Sequence, residues 1–104
     1  MIEVVVRPAA AADVEDAYLW YESQRAGLGH EFLDALRATM DLVQAHPEAF
    51  PILHRETRRA LCRRRFPYAL FFRLHGETVV VVACMHAKRH PRRLRSRLNG
   101  RGDR

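Results

Sequence analysis

The chain reads as an α+β domain. An N-terminal strand leads into an antiparallel helical hairpin, and a three-stranded antiparallel meander follows, forming a twisted sheet packed on the helices. Three observations predict this. Two successive segments carry apolar residues at helical spacing and are joined by Gly27-Leu28-Gly29. The second half holds three strand-like runs separated by short turns. The first residues, Ile2 to Val6, are short and β-branched, which suits a strand.

Taken in order, Pro8 and the alanines after it end the first strand, and Asp13 is placed to cap or charge the start of a helix. Val14, Ala17, Tyr18 and Tyr21 then form a buried stripe, and Gly27 and Gly29 stop the helix after Arg25. The second helix is expected over 30–45, with Phe32, Leu36, Met40 and Val43 inward and Asp34, Arg37 and Asp41 outward. His46 precedes a proline and therefore ends it. A loop is expected over 47–57, then strands over 58–65, 66–74 and 78–85. Val79 to Ala83 is apolar without alternation, so the last strand should be central and covered on both faces. Pro67 cannot donate to a ladder and marks a strand start, edge or bulge. The first strand can join this sheet only by pairing across the helices, which then cover one face.

With 104 residues the chain makes one domain, expected over 1–97, followed by a basic tail over 98–104. From Arg92 onward one short helical turn and then fraying are expected. The longest apolar run is far short of the ~20 residues a membrane span needs, and no secretory leader is evident. A cytoplasmic protein with no membrane association is therefore expected. Cys62 and Cys84 show no C-x-x-C pair or Cys/His spacing, so they read as small buried hydrophobes in a reducing compartment. No cofactor or metal is expected: His86 and His90 have helical ligand spacing, but Pro91 and the preceding strand disfavour a helix there.

Charge divides the chain. Residues 1–51 carry three arginines against nine acids, a net of −6; residues 52–104 carry fifteen Lys/Arg against three acids, a net of +12. The second half thus offers a cationic surface for phosphate, nucleic acid or an acidic protein, although the segment from Arg92 supplies six of the fifteen cations.

Placed on these elements, several residues together resemble the RelE/ParE superfamily of toxins from type II toxin–antitoxin modules. They are Asp13, Ala17, Trp20-Tyr21-Glu22, Leu28-Gly29 and Phe32, then Pro47, Pro51, Arg65-Phe66-Pro67-Tyr68, and His86-x-x-Arg89-x-Pro91. The resemblance spans residues 2–97, and its fold agrees with the order read above. It implies a growth-inhibiting toxin, of the kind associated with plasmid stabilisation, neutralised by a cognate antitoxin in a hetero-oligomer. The antitoxin should be acidic and encoded adjacently. One branch of the superfamily inhibits DNA gyrase; the other cleaves mRNA on the ribosome.

Cleaving RNA at its 2′-hydroxyl needs a base, a cation for the phosphorane and an acid for the leaving oxygen. His86 is the candidate for proton transfer, Arg65 and Arg89 for holding the phosphate, and Tyr68 for stacking or donating its hydroxyl. If the toxin is no nuclease, the same four become target contacts. The plainer reading of His86 is a backbone-bonded strand-end histidine, and of Tyr68 a core aromatic. After His90 nothing is aromatic or titrates near neutrality, a departure from the nuclease members that leans toward the ParE-like branch. A third possibility, on charge alone, is a non-toxic nucleic-acid-binding module. For the antitoxin, the expected anchors are Leu19 and Trp20, which lie roughly a third to two-fifths of a turn from the buried line of the first helix. Arg63 and Arg64 are expected to meet its acidic residues.

Overall fold

The computed structural model describes residues 2–62, 65–89 and 91–99. The elements are β1 (Glu3–Val6), α1 (Pro8–Gln24), α2 (Leu28–Ala45), a 3-10 turn (Pro47–Ala49), β2 (Ile52–His54), β3 (Thr57–Leu61), β4 (Tyr68–His75), β5 (Thr78–His86) and α3 (Pro91–Leu98). They form one five-stranded sheet in the order β1-β5-β4-β3-β2. β1 runs parallel to β5, with Glu3 opposite Thr78 and Val6 opposite Val81; the other pairs are antiparallel. The meander of β3, β4 and β5 is the one expected from sequence, and β1 does return across the helices.

Four details differ from expectation, each for a local reason. Pro8 ends β1 and is also the first residue of α1, because its fixed φ and missing N–H suit the first turn of a helix. The alanines after it are therefore helical, and Asp13 lies in the helix body rather than at its start. α2 begins at Leu28, not His30, because Gly27 alone makes the break, with φ at 89°. β2 occupies part of the expected loop; three residues are too few to show a strand period. Lastly, α3 runs for eight residues where one short turn was expected.

Gly29 is inside α2, where its missing side chain matters more than its backbone freedom. A Cβ there would lie 2.7 Å from two carbons of the Tyr18 ring and 2.9 Å from Glu22 Oε1. Glu22 uses this close approach: its carboxylate accepts the N–H of Gly27 and of Gly29, both at 2.9 Å, and so caps the N-terminus of α2. Gly29→Ala should therefore cost about 1–3 kcal/mol in urea denaturation, although alanine is the better helix former. The two backbone N–H groups also stabilise the ionised form of Glu22, holding its pKa below the ordinary value of 4.5. A depressed folded-state pKa adds stability above the unfolded value and loses it as pH falls. Thermal stability should accordingly fall as pH drops below about 4.5, and the corresponding step should be missing in Glu22→Gln.

The sheet is covered on both sides. On one side the helical hairpin buries Phe32 and Val43 against Phe72, Val79 and Val81, none more than 2% exposed. On the other, Ala69, Phe71, Val82 and Met85 lie under Leu94 and Leu98 of α3. β5 is thus buried on both faces, as its unbroken valines predict. A bulge in β5 shifts the ladder: Phe71 pairs with Ala83 but Phe72 with Val81. Val82 and Ala83 consequently share the α3 face, and side-chain alternation resumes one residue out of step. Cys84, which the earlier alternation would have put on the α3 face, instead joins the core on the hairpin side.

Candidate functional site

β5 is longer than the strand beside it. Pairing with β1 ends at Val81, whose carbonyl accepts the N–H of Arg7 at 3.0 Å. Beyond that point, backbone groups on this side of β5 need other partners. The Cys84 N–H donates to Asp13 Oδ2 at 3.0 Å, and the Val82 carbonyl accepts from Arg97 Nη1 at 3.2 Å. Arg97 in turn grips Asp13 at 2.8 and 3.3 Å, and Arg93 approaches the same carboxylate at 3.4 Å. The side chains of Asp13 and Arg97 are only 3% and 11% exposed. A buried ion pair therefore stands in for a missing strand and ties α1, β5 and α3 together. The signal for it in the sequence is an acid on the apolar stripe of Ala10, Ala17 and Tyr21, together with Leu94 and Leu98 spaced four apart in an arginine-rich segment.

Above this clamp lies a cleft of about 450 Å³. One wall is α1, contributing Asp13, Asp16, Ala17, Trp20 and Tyr21; the other holds Pro67, Tyr68, Cys84, His86, Arg89 and Arg93. The bulge in β5 sets the alternation that aims Cys84 and His86 toward it. Tyr21 anchors the floor: its ring meets Phe32, Phe66 and Tyr68 at centroid distances of 5.1, 5.0 and 5.9 Å. Burial pushes the Tyr21 and Tyr68 hydroxyls above their ordinary pKa, so both remain protonated at neutral pH and can donate hydrogen bonds. Burial also raises the thiols of Cys62 and Cys84, which leaves both unreactive at neutral pH.

Of the four candidates for catalysis or target contact, three come together here. The ring of Tyr68 meets that of His86 edge-on at 5.6 Å, directly across the β4–β5 ladder, and Arg89 lines the same opening. His86 Nδ1 accepts the Lys88 N–H at 3.1 Å, so in the neutral ring the proton sits on Nε2. Tyr68 packs against the core and also lines the cleft. Arg65 is elsewhere: it pairs with Glu31 at the start of α2 and lies over the Phe66 ring. Leu19 and Trp20 are 55% and 52% exposed, with Trp20 at the lip of the cleft. Arg63, Arg64 and His90 lie outside the described residues. Among the described residues no group of three or more His, Cys, Asp or Glu is arranged to hold a metal, and no helix is long and apolar enough to cross a membrane.

Residues 4–91 match the family described as the ParE toxin of the type II toxin–antitoxin system parDE. Among solved structures, a chain from the chromosomal ParDE toxin–antitoxin system of P. aeruginosa superposes with a TM-score of 0.63 at 18% identity. The superposition covers 85% of this chain and 98% of that one. No curated protein sequence matches.

Proposed function

The chain belongs to the ParE toxin family of type II toxin–antitoxin systems, and on that premise we propose that it arrests bacterial growth by binding DNA gyrase. In this reading the toxin breaks no bond itself, acts in the cytoplasm, and is held inactive in a hetero-oligomer with an acidic antitoxin. The observation that carries it is the charge arrangement of the cleft. His86, Arg89 and Arg93 face Asp16 on the α1 wall, where Asp13 is neutralised by Arg97, while Arg65 pairs with Glu31. The Asp16 carboxylate across the opening disfavours a scissile phosphodiester, and among the described residues His86 is the one imidazole that lines the cleft. Mixed charge with an exposed tryptophan at the lip suits a protein surface instead.

A second reading, the ribosome-dependent endonuclease, draws on the convergence of Tyr68, His86 and Arg89. Purified toxin in a gyrase supercoiling assay separates the two. Inhibition should appear without transcript cleavage, and His86→Ala, the loss of one contact among several, should weaken it without abolishing it. Codon-dependent transcript cleavage in a translating extract, abolished by His86→Ala and without effect on supercoiling, would overturn the gyrase reading.

A further inference from the structure

β1 is an edge strand, and its outer side carries exposed valines. The N–H groups of Glu3 and Arg7 point inward, donating to the carbonyls of Glu77 and Val81 at 2.9 and 3.0 Å. By strand alternation Val5 points the same way, and the main-chain groups of Val4 and Val6 point outward. Among the described residues no group outside the sheet bonds to either of them. The open stretch is bounded at both ends: Gln44 Nε2 donates to the Ile2 carbonyl at 2.7 Å, and Pro8 has no N–H. Val5 and Val6 are 42% and 46% exposed, so the edge is apolar as well as open, and another strand can add to it.

The residues of this edge are complementary to themselves. Glu3 and Arg7 flank the valines, are both exposed, and enter no ion pair among the described residues. At four positions along a strand they are about 13 Å apart, too far to pair with one another. Turned about a two-fold axis through Val5, a second β1 runs antiparallel and sets Val4 opposite Val6, and Glu3 opposite Arg7. Val4 and Val6 are the residues whose N–H and C=O face outward, so each such pair can exchange both main-chain bonds. Glu3 and Arg7 fall at a non-bonded position, where side chains come closest. We propose that the chain self-associates through an antiparallel β1–β1 pairing centred on Val5, which joins the sheets of two copies and forms reciprocal Glu3–Arg7 ion pairs.

The register has little freedom. Moving the axis to Val4 or Val6 sets Glu3 or Arg7 opposite a valine and forfeits the ion pairs. The bonded pair that would come next, Ile2 with Pro8, lacks an N–H, and there Gln44 already satisfies the carbonyl. Charge also selects the occupant: a purely acidic or basic strand leaves Glu3 or Arg7 against its own sign, whereas a second β1 matches both. The chain's net of +6 opposes association, but the half that holds β1 carries −6. None of these residues lines the cleft, so the pairing is independent of the gyrase reading.

The contact is short and belongs with weak, transient interfaces, so dimer is expected to form at about 0.1 mM protein. Sedimentation of the full chain over a range of concentrations gives the affinity, and amide hydrogen exchange gives the site. As dimer forms, exchange at the Val4 and Val6 N–H should slow at least tenfold. Glu3→Arg and Arg7→Glu, changes at exposed side chains, each set like charges opposite one another and should weaken association at least tenfold. Mixed in equal amounts, the two variants present opposite charges at both positions, and the mixture should recover affinity to within threefold of the parent chain. A chain still monomeric at about 1 mM, a dimer indifferent to both substitutions, or a mixture no tighter than either variant alone would each overturn the proposal. Protection at the Leu61 or Trp20 amide without protection at Val4 and Val6 would do the same, since the contact would then lie on another face.

Discussion

Replacing Asp13 by alanine should cost about 3–5 kcal/mol, the range for breaking a buried ion pair by removing one partner. A domain of this size has only about 5–15 kcal/mol of stability in total, so the variant should be unfolded at modest urea concentrations. Three groups lose their partner together. The Arg97 guanidinium stays buried without a counter-charge, the Cys84 N–H loses its acceptor, and Arg93 loses its contact. Asp13→Asn keeps an oxygen for Cys84 but no charge for Arg97, and should cost less, about 1.5–3 kcal/mol. Arg97→Met supplies a comparable apolar stem, so the double variant Asp13→Ala/Arg97→Met should lose less than the sum of the two single ones. Urea midpoints for the four proteins measure this directly. A loss below about 1 kcal/mol in Asp13→Ala would mean that α3 is held by Leu94 and Leu98 alone.

That clamp also shows where the sequence stops being informative. The hairpin was legible because its core stripes repeat every three or four residues, and β5 because five apolar residues in a row suit only a strand buried on both faces. Asp13 was misread because an acid near a helix start has a sufficient local explanation. Its true partners, Cys84 and Arg97, are 71 and 84 residues away. The segment from Arg92, expected to make one short turn and then fray, forms a docked helix that escapes sequence reading for a similar reason. Its charge is plain in composition, whereas the two leucines that dock it acquire meaning only beside an uncovered sheet face. The same holds for the cleft. A sequence shows that Tyr68 and His86 are at strand ends, but their meeting depends on the β4–β5 register and its bulge. Arg65, three residues before Tyr68, points instead to Glu31, because the turn before β4 carries it toward α2.

Truncating Leu19 and Trp20 together to alanine should weaken the complex with the cognate antitoxin at least 100-fold, about 2.7 kcal/mol. Both side chains stand out from α1, the helix that forms one wall of the cleft, and each is more than half exposed in the isolated toxin. Trp20 is not loose: its ring rests edge-on against Tyr21 at 5.1 Å, so little side-chain freedom is lost on binding. A pre-positioned aromatic beside an aliphatic neighbour is the usual composition of an interface hot spot. The cost should fall on binding and not on folding, because neither residue belongs to the core cluster; urea midpoints should shift by less than about 0.5 kcal/mol. Titration calorimetry with purified antitoxin measures the first effect. Coexpression gives the cellular consequence: the antitoxin should no longer rescue growth if the variant still inhibits gyrase. Affinity within threefold of the parent chain would remove this face of α1 from the antitoxin interface. Loss of gyrase inhibition together with loss of antitoxin binding would mean that the two partners compete for the same tryptophan, and that neutralisation works by covering the surface that meets the target.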